Sequence, residues 1–202
     1  MAEPAAYLPA DERRAATVDT VLALAAESNP GEITTAAIAK RMNVTQGALF
    51  RHFPSKEAIW QSVMEWVADR LDARLERAAA AAPTPLAALR GMFLQHVAFV
   101  AEHPGVPRMM FGELQRAAPT PAKHVAAAML GRYGERVRVL LAQAQAQGEV
   151  ADDVDTQAAA VLFIGMIQGL VMQSLLAGDP ARLTTQAPAL FVLYERSLRR
   201  QS

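Results

Sequence analysis

The sequence predicts an all-α chain: an N-terminal three-helix unit with a helix-turn-helix, then a C-terminal helical bundle. Three observations predict it. Apolar residues recur at spacings of three and four between successive Pro and Gly breaks. Alanine, the strongest helix former, is abundant, and no segment alternates apolar and polar residues long enough to make a sheet. Residues 33–56 hold two short helical patterns joined by a tight turn. A chain of 202 residues, 52% hydrophobic, can build one ordinary core or a small module joined to a larger one.

The elements follow in order. Val18, Val21, Leu22 and Ala25 recur at helical spacing before the break at Asn29-Pro30-Gly31. Thr34 or Thr35 caps a short helix carrying Ala36, Ile38, Ala39 and Met42. Asn43 sits at the turn, because asparagine tolerates the left-handed conformation that ends a helix abruptly. Val44 fills the corner, and Thr45 caps a second helix over 45–53, with Leu49 and Phe53 inward. Pro54 ends it. A long connecting helix starts at Ser55, where Ser-Lys-Glu gives a cap and an early acid, and runs to about Ala80. Further helices are expected near 85–102, 106–116, 121–147, 155–177 and 186–200, the fourth of them capped by Asp155. The domains expected are 1–56 for DNA and 57–202 for effector binding and dimerisation.

The last two helices carry more apolar surface than one subunit should leave wet. Gly165 and Gly169, four apart, would let another helix approach closely, and Leu190, Leu193 and Tyr194 stripe the final helix. Pairing with a second copy would give a two-fold four-helix interface. Residues 158–177 are uncharged and long enough to span a bilayer. Gln168, Gln173 and Ser174 interrupt them, acids flank them at Asp152, Asp153, Asp155 and Asp179, and no basic or aromatic anchors stand at their ends. The expectation is a helix buried in protein, with no membrane partner.

Charge distribution points to nucleic acid although the formal net charge is zero. Residues 33–56 hold Lys40, Arg41, Arg51 and Lys56 and no acid, so the rest of the chain has an excess of acids. A cationic patch on an acidic body suits a protein that touches DNA at one end. The second helix of such a pair enters the major groove with its N-terminal residues toward base edges. Gln46 can make two hydrogen bonds to adenine, and Arg51 can reach guanine or a phosphate. Gly47 and Ala48 let the backbone come close, and the Ala48 methyl can meet a thymine methyl. Thr34 or Thr35 can meet one phosphate and Lys56 another.

Residues 18–60 resemble the TetR family of bacterial repressors. The resemblance is carried by Thr34-Thr35, Ile38-Ala39, Val44-Thr45 at the turn, Gly47 through Phe53 in the reading helix, and Ser55-Lys56-Glu57 after it. It implies an all-helical homodimer with two reading heads and a C-terminal effector pocket. It also implies DNA contacts from Thr35, Thr45, Gln46, Gly47, Ala48, Phe50, His52 and Lys56. Two positions depart from the family pattern. Asn43 stands where glycine is usual. Phe50 stands where tyrosine is usual, so a phenolic phosphate contact is lost and the ring is left to pack on a sugar.

Met and aromatic side chains suit an adaptable apolar cavity. The candidates for an effector pocket are Trp66, Met92, Phe93, His96, Phe99, Met109, Met110, Phe111, Tyr133, Phe163, Met166 and Gln168, with His96 or Gln168 as polar handles. His96, His103 and Glu102 are too few for a metal site, and no cofactor is expected. The chain has no cysteine, no G-x-S-x-G, no H-E-x-x-H and no phosphate-binding glycine loop, so nothing supports an enzyme. The N-terminus has acids and prolines where a secretory signal needs a basic start and an apolar run, which predicts a cytoplasmic protein.

The reading is a transcriptional repressor that binds a palindromic operator as a homodimer and is released by a small, apolar effector. The alternatives are a DNA-binding factor without an effector and a helical interaction module that has lost DNA binding.

Overall fold

The structure is a computed structural model and describes residues 9–199. The described residues form α-helices and one short 3₁₀ turn over Pro30–Glu32, with no strand. In order the helices are α1 (Ala10–Glu27), α2 (Thr35–Arg41), α3 (Gln46–Phe50), α4 (Lys56–Ala80), α5 (Pro85–Glu102), α6 (Gly105–Leu114), α7 (Pro121–Ala146), α8 (Thr156–Ala177) and α9 (Ala181–Leu198). The all-α class is as the apolar spacing predicts.

Two helix limits differ from the sequence expectation. The reading helix was expected over 45–53 and spans only Gln46–Phe50, with Arg51 and His52 in a closing turn. Pro54 disfavours the helical conformation of the residue before it, so the chain unwinds ahead of the proline. The last helix starts at Ala181 rather than near 186. The Asp179 carboxylate accepts from the Ala181 amide at 3.1 Å, so the Gly-Asp-Pro break acts as a start signal. Pro188 lies inside α9 on its exposed side.

Other limits follow local chemistry. The Asp155 carboxylate accepts from the Gln157 and Ala158 amides at 2.9 and 3.2 Å and caps α8. Gly178, at φ +64°, closes the same helix in the left-handed conformation.

The chain divides into two compact units. One extends through Ala68 and includes His103–Ala127. The other is Asp69–Glu102 together with the chain from Ala128 onward. The boundary expected at 56/57 falls inside the first unit.

In the first unit Val18, Val21, Leu22 and Ala25 of α1 are buried, as are Ile38 of α2, Leu49 of α3, and Ile59, Val63 and Val67 of α4. The α6 helix lies directly on α1. A Cβ on Gly105 would stand 2.1 Å from the Leu22 carbonyl oxygen, so only glycine permits this approach.

The second unit is built on rings. Phe93 of α5 meets Phe163 of α8 and Phe191 of α9, with ring centroids 5.5 Å apart in both pairs. Phe163 also packs edge-on against Tyr133 of α7 and Tyr194 of α9. Ion pairs of 2.8 Å, Asp72–Arg132 and Glu76–Arg136, link the second half of α4 to α7. The Glu149 carboxylate accepts from the Leu86 amide at 3.0 Å, which satisfies an open donor at the start of α5.

Candidate nucleic-acid interface

Two threonine caps set the geometry of the reading head. The Thr34 hydroxyl accepts from the Ala37 amide at 3.1 Å, so Thr34 is the cap of α2 and Thr35 its first residue. The Thr45 hydroxyl accepts from the Ala48 amide at 3.1 Å and starts α3. Between them Asn43 takes φ +54°, and the Val44 amide donates to the Ala39 carbonyl at 2.9 Å. The turn residue is left-handed, as expected.

Leu49 and Phe53 are buried, which turns the opposite side of α3 outward. Gln46, Gly47 and Arg51 are exposed, Phe50 is 43% exposed, and Ala48 and His52 are half-buried. The Gln46 side-chain amide donates to the Thr35 hydroxyl at 3.2 Å, which holds the carboxamide along the α2–α3 face.

Lys56 begins α4. Its ammonium lies 4.8 Å from the centre of the Trp60 ring and donates to the Gly31 carbonyl at 3.4 Å. Burial holds its pKa below the ordinary lysine value. The Ser55 hydroxyl accepts from the Ala58 amide at 3.2 Å. The Glu57 carboxyl is held below the usual carboxylate range by its own backbone amide and by Ser55, as a first-turn acid should be.

Among the four patch cations, Arg41 is already ion-paired within the described residues. Arg41 donates to both oxygens of Glu27 at 2.7 and 3.1 Å, tying the end of α2 to the end of α1. Sequence reasoning missed this acid because it lies outside the acid-free segment. It also missed Arg13 of α1, which shares a surface cleft of about 600 Å³ with Thr45, Ala48, Arg51 and His52. The signal was present as the Arg13-Arg14 pair, about twenty residues upstream of the motif. The Arg14 guanidinium covers the Phe53 ring at 5.4 Å.

The residues expected in an effector pocket fall in both units. Trp66, Met109, Met110 and Phe111 belong to the first unit. Met92, Phe93, His96, Phe99, Tyr133, Phe163, Met166 and Gln168 belong to the second. Phe93, Tyr133 and Phe163 are fully packed in the ring cluster, and Gln168 is exposed on α8. His96 is half-buried; its Nδ1 lies 3.3 Å from the Tyr133 hydroxyl, and desolvation lowers its pKa to about 4. The same enclosure pushes the Tyr133 phenol up. His103 meets the Trp66 ring edge-on at 5.3 Å. Among the described residues no three His, Asp or Glu side chains converge as a metal site.

The face expected between two copies is apolar on both helices. On α8, Val161 is 64% and Leu176 81% exposed, and Leu162 and Met172 are also exposed. Gly165 is exposed and Gly169 half-buried, and a Cβ on either would meet nothing. On α9, Leu193 is 61% exposed and Leu190 half-buried. Tyr194 departs from the expectation: it is buried in its own subunit, where its hydroxyl donates to the Ala159 carbonyl at 2.9 Å. A phenol on an apolar helix side is held inward by that acceptor. Among the described residues α8 alone is long and apolar enough to cross a membrane, judged by length and composition.

Two family descriptions match this chain. "Bacterial regulatory proteins, tetR family" covers residues 18–63, and "Tetracyclin repressor-like, C-terminal domain" covers residues 112–190. Among curated proteins, the nucleoid occlusion factor SlmA of Marinomonas sp. (strain MWYL1) is 34% identical over 90 residues, 44% of this chain and 46% of that protein. SlmA of Vibrio cholerae is 27% identical over 145 residues, 71% of this chain and 74% of that protein. The chain thus spans about half the length of the first of these relatives. Among solved structures, the ketosteroid transcriptional regulator KstR2 of Mycobacterium tuberculosis aligns over 94% of this chain and 96% of its own, with a TM-score of 0.79 at 19% identity. The transcriptional regulator FadR of Bacillus subtilis, in complex with stearoyl-CoA, aligns over 89% of this chain and 96% of its own, with a TM-score of 0.79 at 18% identity.

Proposed function

Because the chain belongs to the TetR family of bacterial transcriptional regulators, we propose that it is a ligand-responsive repressor that binds a palindromic operator as a homodimer. One observation carries the DNA reading. The capped α2–α3 pair buries Leu49 and Phe53 and leaves Gln46, Gly47, Phe50 and Arg51 outward on a segment that carries no acid from Ile33 to Lys56. Gln46 reads an adenine edge from the N-terminal end of α3. Thr34, Thr35, Thr45, His52 and Lys56 contact the backbone, Phe50 packs on a sugar, and Gly47 and Ala48 allow close approach. The functional division lies near residue 56, with DNA binding before it and effector binding and dimerisation after it, and the protein works in the cytoplasm.

Two α8–α9 faces pair to form the dimer and set the heads about 34–36 Å apart, one helical turn of DNA. A small apolar effector, held among Met and aromatic side chains of the C-terminal region, favours a conformation with a different head spacing. It must therefore bind the DNA-free form better than the bound form.

Selection of bound sequences from random duplexes, followed by release assays with apolar acids and acyl thioesters, tests this. The expected result is a palindrome whose complex dissociates on adding an effector. Gln46→Ala should relax preference at one base pair by roughly 1–3 kcal/mol. Equal weakening on selected and random DNA would remove Gln46 from base reading.

The name of the SlmA relatives favours a second reading, a DNA-binding factor that answers to no small effector. The closely packed ring cluster of the second unit supports it. DNA release unaffected by every compound screened would decide for it.

A further inference from the structure

We propose that Arg13, on the first turn of α1, is a phosphate-binding residue that extends the DNA footprint beyond the helix-turn-helix. The inference rests on the DNA reading above. It starts from the cleft of about 600 Å³ that α1 shares with the α2–α3 turn and the start of α3. Four of its lining side chains, Arg13, Asn43, Arg51 and His52, carry nitrogen donors, and the Thr45 hydroxyl adds a polar group. Among the described residues no carboxylate lines it. Ala48 is on its wall, so the cleft opens along the helix that presents Gln46 to a base.

The neighbouring arginines are engaged elsewhere. Arg41 is held by both oxygens of Glu27, and Arg14 lies over the Phe53 ring. The Arg13, Arg51 and His52 side chains make no hydrogen bond or ion pair with any described residue. Arg13 is nevertheless fixed in place at its backbone: its amide donates to the Pro9 carbonyl at 3.0 Å, and its carbonyl accepts from the Thr17 hydroxyl at 2.8 Å. A guanidinium on a fixed stem, beside a second guanidinium and with no acid to neutralise it, matches the bidentate geometry of a phosphate. The occupant is a phosphate of the duplex backbone, because Ala48 on the cleft wall belongs to the helix that presents Gln46 to a base, and Thr45 and His52 beside it are the backbone contacts of the DNA reading. Arg13 gives register and affinity and carries no sequence information.

The test measures binding of the full chain to a selected duplex and to a random duplex across a salt series. Each phosphate contact contributes about 0.9 to the slope of log K against log salt. Arg13→Gln is expected to weaken both duplexes by the same factor, roughly 3- to 10-fold, and to flatten the slope by about one. Arg13→Lys is expected to keep the slope, which separates charge from helix packing. A wild-type chain that binds no duplex at low salt overturns both this inference and the DNA reading. A wild-type chain that binds, with a slope unchanged in Arg13→Gln, overturns this inference alone. So does a loss in Arg13→Gln confined to the selected duplex, or an equal loss of slope in Arg13→Lys.

Discussion

His96 is held in its neutral form by its surroundings. Burial lowers its pKa to about 4, whereas an unfolded chain protonates histidine near 6.5. The folded pKa is the lower of the two, so the unfolded state takes up more protons as pH falls. Stability is therefore lost progressively from about pH 6.5 down toward 4, by about 1–2 kcal/mol at pH 5 for this group. Denaturant melts at pH 7 and 5, compared between wild type and His96→Gln, should show that the variant loses less on acidification. Residues of this kind were only partly legible. The inward pair Leu49 and Phe53 and the left-handed Asn43 could be read directly, since spacing and backbone chemistry decide them. The Glu27–Arg41 pair, the Tyr194 hydrogen bond to Ala159 and the Arg13 cleft join residues distant in sequence. No local pattern encodes which side chains a fold brings together.

At the scale of elements, the contact of α6 on α1 turns on Gly105. Alanine is the better helix former by up to about 1 kcal/mol, so propensity alone would make Gly105→Ala stabilising. The added methyl would instead stand 2.1 Å from a backbone oxygen, and backbone cannot step aside as a side chain can. Overpacking of this kind costs about 1–3 kcal/mol, so the net effect should be a lower thermal midpoint. Gly131, exposed on α7 with nothing within 4 Å of a Cβ, is the control. Gly131→Ala should stabilise by about 0.4–1 kcal/mol in the same melt. Helix existence and most helix ends were legible because caps are local. Thr34, Thr45, Ser55 and Asp155 each accept from the amide their position requires. The short α3 and the early start of α9 were misjudged beside prolines: Pro54 shortens one helix, and Asp179 ahead of Pro180 starts the other early.

For the whole molecule, the proposed dimer turns on the exposed apolar side of α8 and α9. Leu176 and Leu193 are the most exposed large apolar side chains named on those helices besides Val161, so a charge there should be tolerated by the monomer and not by a dimer. Leu176→Glu combined with Leu193→Glu should sediment as a monomer and bind DNA with half-site affinity; a dimer of unchanged stability would place the interface elsewhere. The two-helix face was legible because apolar excess is a property of composition. The proposed effector site was not, because a methionine or phenylalanine in a core and one lining a cavity obey the same spacing, and the ring cluster takes Phe93, Tyr133 and Phe163 as packing. One contact also makes the chain its own optical probe. Both tryptophans, Trp60 and Trp66, lie in the first unit, and Trp60 carries the Lys56 ammonium on its ring face. A duplex that draws Lys56 onto a phosphate leaves that indole without its cation and shifts its emission. Fluorescence titration of unlabelled protein should therefore follow DNA binding, and Lys56→Met should silence the Trp60 signal.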